Sequence, residues 1–198
     1  MTINREVARI ASRTNKIDRN HVYPLVMNGD MRVAQRGTST SSASTDVYTC
    51  ADRWRTNINS YGAYTISQST TVPSGQGFKH SLKVEADSVV TPSGSDNGGI
   101  LQKFEQQDVE RFMYGTSDAE SVTLSFWVRS NKTGTYICEL VDNDNTRQIS
   151  RSYTINSADT WEKKTLTFVG DTSGTLDNDN ATSLQLLFWL AAGSTLSG

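Results

Sequence analysis

The chain has 198 residues, of which 35% are hydrophobic, with three prolines and two cysteines. This length fits one domain with or without an appended segment, and two cysteines exclude a disulfide framework or a cysteine-rich metal cluster. The formal net charge of −2 argues against a nucleic-acid-binding protein, and the absence of any long apolar run argues against a signal peptide or a membrane span.

Residues 1–24 are predicted to form a helical leader. The first 36 residues carry seven basic and three acidic side chains, whereas the rest of the chain carries 12 basic and 18 acidic ones. Apolar residues recur at helical spacing in a stripe too narrow for an independently stable helix. A basic leader that needs a partner suggests an anchoring role, although a solvated helix face is an alternative. The anchoring candidates are Ile3, Arg5, Val7, Arg9, Ile10 and Arg13.

Residues 25–198 are predicted to form an antiparallel β-sandwich of the jelly-roll type. After Pro24 the apolar pattern changes to a period of two, which is typical of strands with one buried face. Clusters of Gly, Asn, Asp and Ser separate the segments, as expected for short strands joined by turns. The predicted strands begin near Met31 and Val33 and continue at 64–66, 82–86, 100–104, 121–129, 136–141, 148–155, 161–169 and 184–191, with a short helix over 107–113.

Two tryptophans are predicted to point away from the core. Side chains alternate across a strand, so a core face of Val122, Leu124, Phe126 and Val128 places Trp127 and Arg129 on the other side. By the same rule, a core face of Leu184, Leu186, Phe188 and Leu190 places Gln185 and Trp189 on the other side. We predict that both strands lie in one sheet. Such tryptophans stack on sugar rings or anchor a subunit interface, so the site candidates are Trp127, Arg129, Trp189 and Gln185.

The order of several segments carries a family resemblance. "NGDMRVAQRGTS", "YTCADRW", "LQKFEQQDV", "VTLSFWVRSNKTGTY", "DTWEKKTLTFVGDTSGT" and "LQLLFWLAAG" follow one another between residues 28 and 193. This arrangement resembles the carbohydrate-binding-module-like jelly roll of bacteriophage tail-fibre and appendage proteins. The resemblance implies a fibre or decoration subunit with glycan binding. Such a jelly roll usually closes with a further strand, so the sandwich is expected to lack its last strand or to continue into a longer fibre.

No catalytic constellation is recognisable. His21 and His80 have no partner in the sequence that could orient a general base, and "GDTSGT" at 170–175 fits a turn better than a nucleophile segment. We therefore expect no enzyme and no cofactor. The Asp- and Asn-rich segments 142–145 and 177–180 half match a calcium loop, which leaves a structural calcium as an alternative to ordinary turns. Cys50 and Cys138 are expected to be buried thiols.

These observations favour a bacteriophage virion structural protein, a tail-fibre or appendage subunit anchored through its leader, made in the host cytoplasm and located in the virion. Its expected partners are other virion proteins of the tail or capsid, copies of itself, most simply as a homotrimer, and a host surface glycan. No nucleic-acid or membrane partner is expected. The alternatives are a capsid decoration (cement) protein, a stand-alone carbohydrate-binding module, and the non-catalytic front part of a glycan-degrading spike.

Overall fold

The computed structural model describes residues 25–88, 90–177 and 179–196, which consist almost entirely of β-strands and turns. The predicted leader, residues 1–24, and its six anchoring candidates lie outside the described residues. In chain order the elements are β1 (Ser39–Ala43), β2 (Trp54–Asn59), β3 (Tyr64–Ser69), β4 (Ser81–Ala86), β5 (Asn97–Phe104), α1 (Gln106–Val109) followed by a 3-10 turn (Glu110–Phe112), β6 (Val122–Val128), β7 (Gly134–Asp142), β8 (Arg147–Ile155), β9 (Glu162–Phe168) and β10 (Leu184–Ala192).

The strands form two packed layers. One layer is a five-stranded sheet in the order β2-β5-β10-β7-β8, and the other contains the three-stranded sheet β1-β3-β4 and the two-stranded sheet β6-β9. Every strand pair is antiparallel. One hydrophobic cluster lies between the five-stranded sheet and β6-β9, and a second lies between it and β1-β3-β4. The predicted antiparallel sandwich is therefore confirmed.

Phe188 of β10 connects the two hydrophobic clusters. Its ring makes an edge-to-face contact with Phe126 of β6, with the centroids 5.1 Å apart, and lies 6.3 Å from the ring of Trp54 in β2. Leu184 and Leu186 share its side of the strand and are buried in the cluster next to β6-β9. The period-two pattern of β6 and β10 thus predicts the correct core faces up to Phe188.

The predicted core position of Leu190 is wrong. The pairing register between β10 and β5 shifts after Trp189, so that Trp189 lies opposite Gly99 but Ala191 lies opposite Gly98. Leu190 is the extra residue of this bulge, and 37% of it is exposed. A bulge breaks the alternation of side chains, which a simple pattern of apolar residues does not reveal.

The strand predicted to begin at Met31 and Val33 is also wrong. Met31 has a φ of 56° and donates a backbone hydrogen bond to Asn28 O at 3.1 Å. The Asn28 side chain then accepts a hydrogen bond from the Val33 amide at 2.9 Å. A turn closed by an asparagine side chain replaces the strand, and β1 follows at Ser39–Ala43, where no strand was predicted.

Residues 25–27, the first that the structure describes, contact the core of the sandwich. The Met27 amide donates to Gln102 Oε1 at 2.7 Å, and Gln102 Nε2 donates back to Met27 O at 2.8 Å. Gln102 is fully buried, and Leu25 and Val26 pack against the hydrophobic clusters. A buried amide that forms two hydrogen bonds with a backbone fixes that segment in place. The segment that follows the leader is therefore attached to the core of the domain.

One edge of β6 forms no ladder within the described part of the chain, since β6 pairs with β9 alone. The residues of β6 carry no charge, whereas the edge strand β4 contains Lys83 and Glu85. Charged side chains commonly protect exposed strand edges from pairing. The strand β6 contains no such charged side chain.

Cys50 and Cys138 are free and buried, as predicted. Burial raises the pKa of the Cys138 thiol to about 12. None of the helices in the described ranges has the length and apolar character needed to cross a membrane.

Candidate functional site

The candidate site is the face of the five-stranded sheet that points away from the sandwich core, called the outer face below. Its central row crosses all five strands. Arg55 of β2 lies opposite Leu101 of β5, Leu101 opposite Leu187 of β10, Leu187 opposite Glu139 of β7 and Glu139 opposite Ser150 of β8. An apolar centre therefore lies between a cationic and an acidic side chain.

Two further rows flank the central one. Asn57, Gly99, Trp189, Ile137 and Ser152 form one row, and Lys103, Gln185, Val141 and Gln148 form the other. The outer face thus combines one aromatic ring and several aliphatic side chains with hydrogen-bonding groups at its borders. This composition is typical of small-ligand and sugar-binding surfaces, which pair apolar area with a few polar groups.

A buried carboxylate fixes the orientation of Trp189. Trp189 Nε1 donates to Glu139 Oε2 at 2.9 Å, and Ser150 Oγ donates to Glu139 Oε1 at 2.9 Å. Glu139 is 6% exposed, and charge-assisted hydrogen bonds of this kind are among the stronger ones in proteins. Because the indole N–H donates to a residue of β7, the half-buried ring of Trp189 lies over β7 and not over β5.

Leu101 and Leu187 form the apolar floor of the outer face. At 2% and 4% exposed they are almost fully covered, so they support the side chains at the surface and present almost no area of their own to a ligand. A Cβ on Gly99 would lie 2.9 Å from Leu187 Cδ1 and 2.8 Å from Phe188 O. Glycine at this position therefore allows Leu187 to lean across the strand. Leu187 leans toward β5 and Trp189 toward β7, so the two side chains cover neighbouring parts of the sheet.

Two cations lie at the border formed by β2 and β5. Arg55 forms an ion pair with Asp46 at 3.3 Å, and Asp46 also accepts a hydrogen bond from the Ile58 amide at 2.9 Å. Burial, and secondarily the nearby charge of Arg55, lowers the pKa of Lys103. Across the residues for which placements are given, Lys103 has no hydrogen bond or ion pair of its own.

The four predicted site residues separate into two locations. Trp189 and Gln185 lie on the outer face, where Gln185 Nε2 donates to Asn143 Oδ1 at 2.5 Å. Trp127 lies instead in the β6-β9 sheet, opposite Lys163. The prediction that the two tryptophan-bearing strands share a sheet is therefore wrong, because the order of strands places β6 and β10 in opposite layers.

Arg129 stabilises a turn. Its Nε donates to Asp159 O at 2.8 Å, and a terminal nitrogen contacts Asp159 Oδ1 at 3.0 Å. Asp159 has a φ of 55° in the connection between β8 and β9, a conformation that few residues other than glycine adopt readily. The hydrogen bonds of Arg129 thus hold a turn in the β6-β9 layer.

In the segments that half match a calcium loop, carboxylates accept hydrogen bonds from the protein itself. Asp142 accepts hydrogen bonds from the amide and the side chain of Asn145 at 3.0 and 2.8 Å, and Asp144 accepts one from the Asp177 amide at 2.9 Å. In the ranges that the structure covers, no group of three or more His, Cys, Asp or Glu side chains is arranged to hold a metal ion. These contacts are those of Asp- and Asn-rich turns.

Sequence reasoning missed most of the outer face. Arg55, Leu101, Lys103 and Glu139 come from three strands that are distant in sequence, and only the order of the strands brings them together. The one signal in the sequence was Glu139 itself, an acidic residue within the apolar run of β7. A carboxylate in such a position usually has a specific partner.

No protein-family model matches the chain, and no curated protein matches it. Among solved structures, the chain is similar to the enzymatically active domain of tailspike protein 4 from bacteriophage CBA120, with 16% identity and a TM-score of 0.46 over 84% of this chain and 19% of that one. It is also similar to the C-terminal family 22 carbohydrate-binding module of Clostridium thermocellum Xyn10B, with 12% identity and a TM-score of 0.45 over 81% of this chain and 88% of that one. The chain therefore spans about a fifth of the tailspike domain.

Proposed function

We propose that this chain is a non-catalytic glycan-binding protein and that the outer face is its binding site. The observation that carries the proposal is the ring of Trp189, held by Glu139 and Ser150 beside the floor of Leu101 and Leu187. A sugar ring presents an apolar face and a border of hydroxyl groups. An oriented indole next to polar side chains complements both features.

A screen of the full chain against immobilised glycans tests this proposal. We expect saturable binding to at least one class of oligosaccharide, with competition by the same oligosaccharide in solution. A screen that gives no saturable binding to any glycan contradicts the proposal, and the outer face would then be assigned to contact with another protein.

We further propose that the chain acts as a subunit of a bacteriophage tail fibre or appendage, with residues 1–24 as its anchor to a tail or capsid protein. The support is the resemblance of the quoted sequence segments to those of such proteins and the basic leader placed before an acidic body. Because Met27 is bonded to the core through Gln102, force on the leader would be transmitted directly to the sandwich.

Deletion of residues 1–20 tests the anchoring role. We expect the truncated chain to unfold at the same temperature as the full chain but to be missing from purified particles. Deletion of residues 1–28 provides the contrast, since it also removes the backbone that bonds to Gln102 and is expected to lower the melting temperature. Particles that contain the 1–20 deletion at normal levels would contradict the anchoring role.

Self-association is the second part of this proposal. Fibre subunits form symmetric assemblies, and our candidate contact between copies is the edge of β6 that forms no ladder with a described strand. Light scattering gives the number of copies in solution, and we expect more than one. A capsid decoration protein would use the same leader and edge, whereas a stand-alone carbohydrate-binding module would need neither.

A further inference from the structure

The cationic border of the outer face has a geometry suited to an anion. Arg55 lies opposite Leu101, and Lys103 is two residues further along β5 on the same side. Diagonal neighbours of this kind have their α-carbons about 7–8 Å apart. The long side chains of arginine and lysine can therefore converge on one ligand group placed between them.

Within the described residues Lys103 forms no ion pair, and its positive charge is offset only in part, by the nearby carboxylate of Asp46. Asp46 is the carboxylate beside it, and that residue is already held by Arg55 and by the Ile58 amide. Glu139 also lies on the outer face, but its carboxylate binds Trp189 and Ser150. Glu139 lies two strands away from Lys103 and is offset from it by two residues along the sheet. The backbones at the two residues are therefore about 12 Å apart.

An unpaired ammonium group that is partly removed from water is unfavourable. Lys103 is in this situation, since burial and the charge of Arg55 lower its pKa by more than the carboxylate of Asp46 raises it. A bound anion would supply the missing charge, and charge-assisted hydrogen bonds would replace the lost hydration. Binding of an anion at this border would therefore compensate for the partial desolvation of the Lys103 ammonium group in the unliganded protein.

Building on the proposed function, we propose that the glycan bound by the outer face is acidic and that Lys103 and Arg55 bind its carboxylate. The ligand class is an oligosaccharide containing a uronic or sialic acid. Trp189 lies on β10 opposite Gly99 of β5, and Lys103 is four residues beyond Gly99 on β5. The backbones at Trp189 and Lys103 are therefore about 14 Å apart. This is longer than one sugar ring, so the acidic sugar and the sugar that stacks on Trp189 are different units of one chain.

Binding of matched polymers tests this inference. The probes are polygalacturonic acid, its methyl ester, which has the same backbone without the charge, and polysialic acid. We expect the full chain to bind at least one carboxylated polymer about tenfold or more tightly than the methyl ester. This preference should decrease as salt is added, because an anion at the border of the sheet is partly screened.

Substitutions separate the cationic border from the rest of the site. Lys103→Gln and Arg55→Gln are each expected to remove most of the preference for the carboxylated polymer, measured as the ratio of the affinities for that polymer and for the methyl ester. Lys163→Gln is the matched control, since it removes one lysine charge from the β6-β9 sheet and should leave the preference intact. The melting temperature of each variant verifies that it is folded.

The outcomes distinguish the two proposals. Equal affinity for the carboxylated polymers and the methyl ester overturns the acidic-ligand inference, and so does a preference that survives Lys103→Gln and Arg55→Gln. A phosphate-bearing glycan bound in place of the carboxylated ones overturns it as well. In each of these cases, binding that Trp189→Ala abolishes would leave the proposed glycan-binding function standing. If no glycan of any charge binds, both proposals fail.

Discussion

Phe188→Ala is expected to lower the free energy of unfolding by about 3 kcal/mol, near the lower end of the range for loss of a core aromatic side chain. Phe188 packs against both hydrophobic clusters, and its ring contacts Phe126 and Trp54. Its removal leaves a cavity where the two clusters meet. Urea denaturation of the full chain measures the change as a lower midpoint with an unchanged slope.

Leu190→Ala is the matched control for this prediction. Leu190 is two residues further along the same strand and is the exposed residue of the bulge. Its truncation is expected to change stability by less than about 0.5 kcal/mol. If Leu190→Ala proved as destabilising as Phe188→Ala, the bulge would be misplaced and Leu190 would belong to the core.

Trp189→Ala is expected to weaken glycan binding by about 30-fold or more, the effect typical of a central aromatic residue in a binding site. The substitution removes the largest flat apolar surface of the outer face and leaves Glu139 without its indole partner. Isothermal titration with the best oligosaccharide from the screen measures the loss. Trp127→Ala, in the opposite layer, is expected to leave the affinity unchanged.

On the proposed function, the carboxylate of Glu139 would act on the ligand only through Trp189, to which it is hydrogen-bonded. Glu139→Gln keeps the shape of the side chain and one acceptor for the indole N–H, so it should weaken binding less than Trp189→Ala does. If Trp127→Ala abolished binding while Trp189→Ala did not, the binding site would lie on the β6-β9 sheet. If Trp189→Ala changed only the number of associated copies, the outer face would be a subunit interface.

The fold class could be predicted from the sequence because one face of most strands is buried. The alternation in 121–129 and 184–188 identifies the core sides of β6 and β10 correctly, and the turn-forming residues between strands mark their ends. The prediction failed where local side-chain chemistry overrides alternation, as at the turn closed by Asn28 and the bulge at Leu190. It also missed β1, which is made of serine, threonine and alanine and has no apolar pattern.

Half of the candidate site could be predicted and half could not. Trp189 and Gln185 were identified because alternation along a single strand is visible in sequence. Trp127 was grouped with them because the sequence does not specify which strands are neighbours, and the order of strands separates the two tryptophans. Lys103 and Arg55 were missed for the same reason, since cross-strand pairing alone brings them together.

The most direct test of the central claim is a titration of the 15N-labelled chain with the best-binding oligosaccharide, followed by the amide and indole resonances. We expect the shifts to concentrate on the outer face, with the Trp189 indole N–H and the amides of Leu187 and Lys103 among the largest. The Trp127 indole in the opposite layer should not move. Saturable shifts confined to the β6-β9 sheet would contradict the assignment of the binding site to the five-stranded sheet.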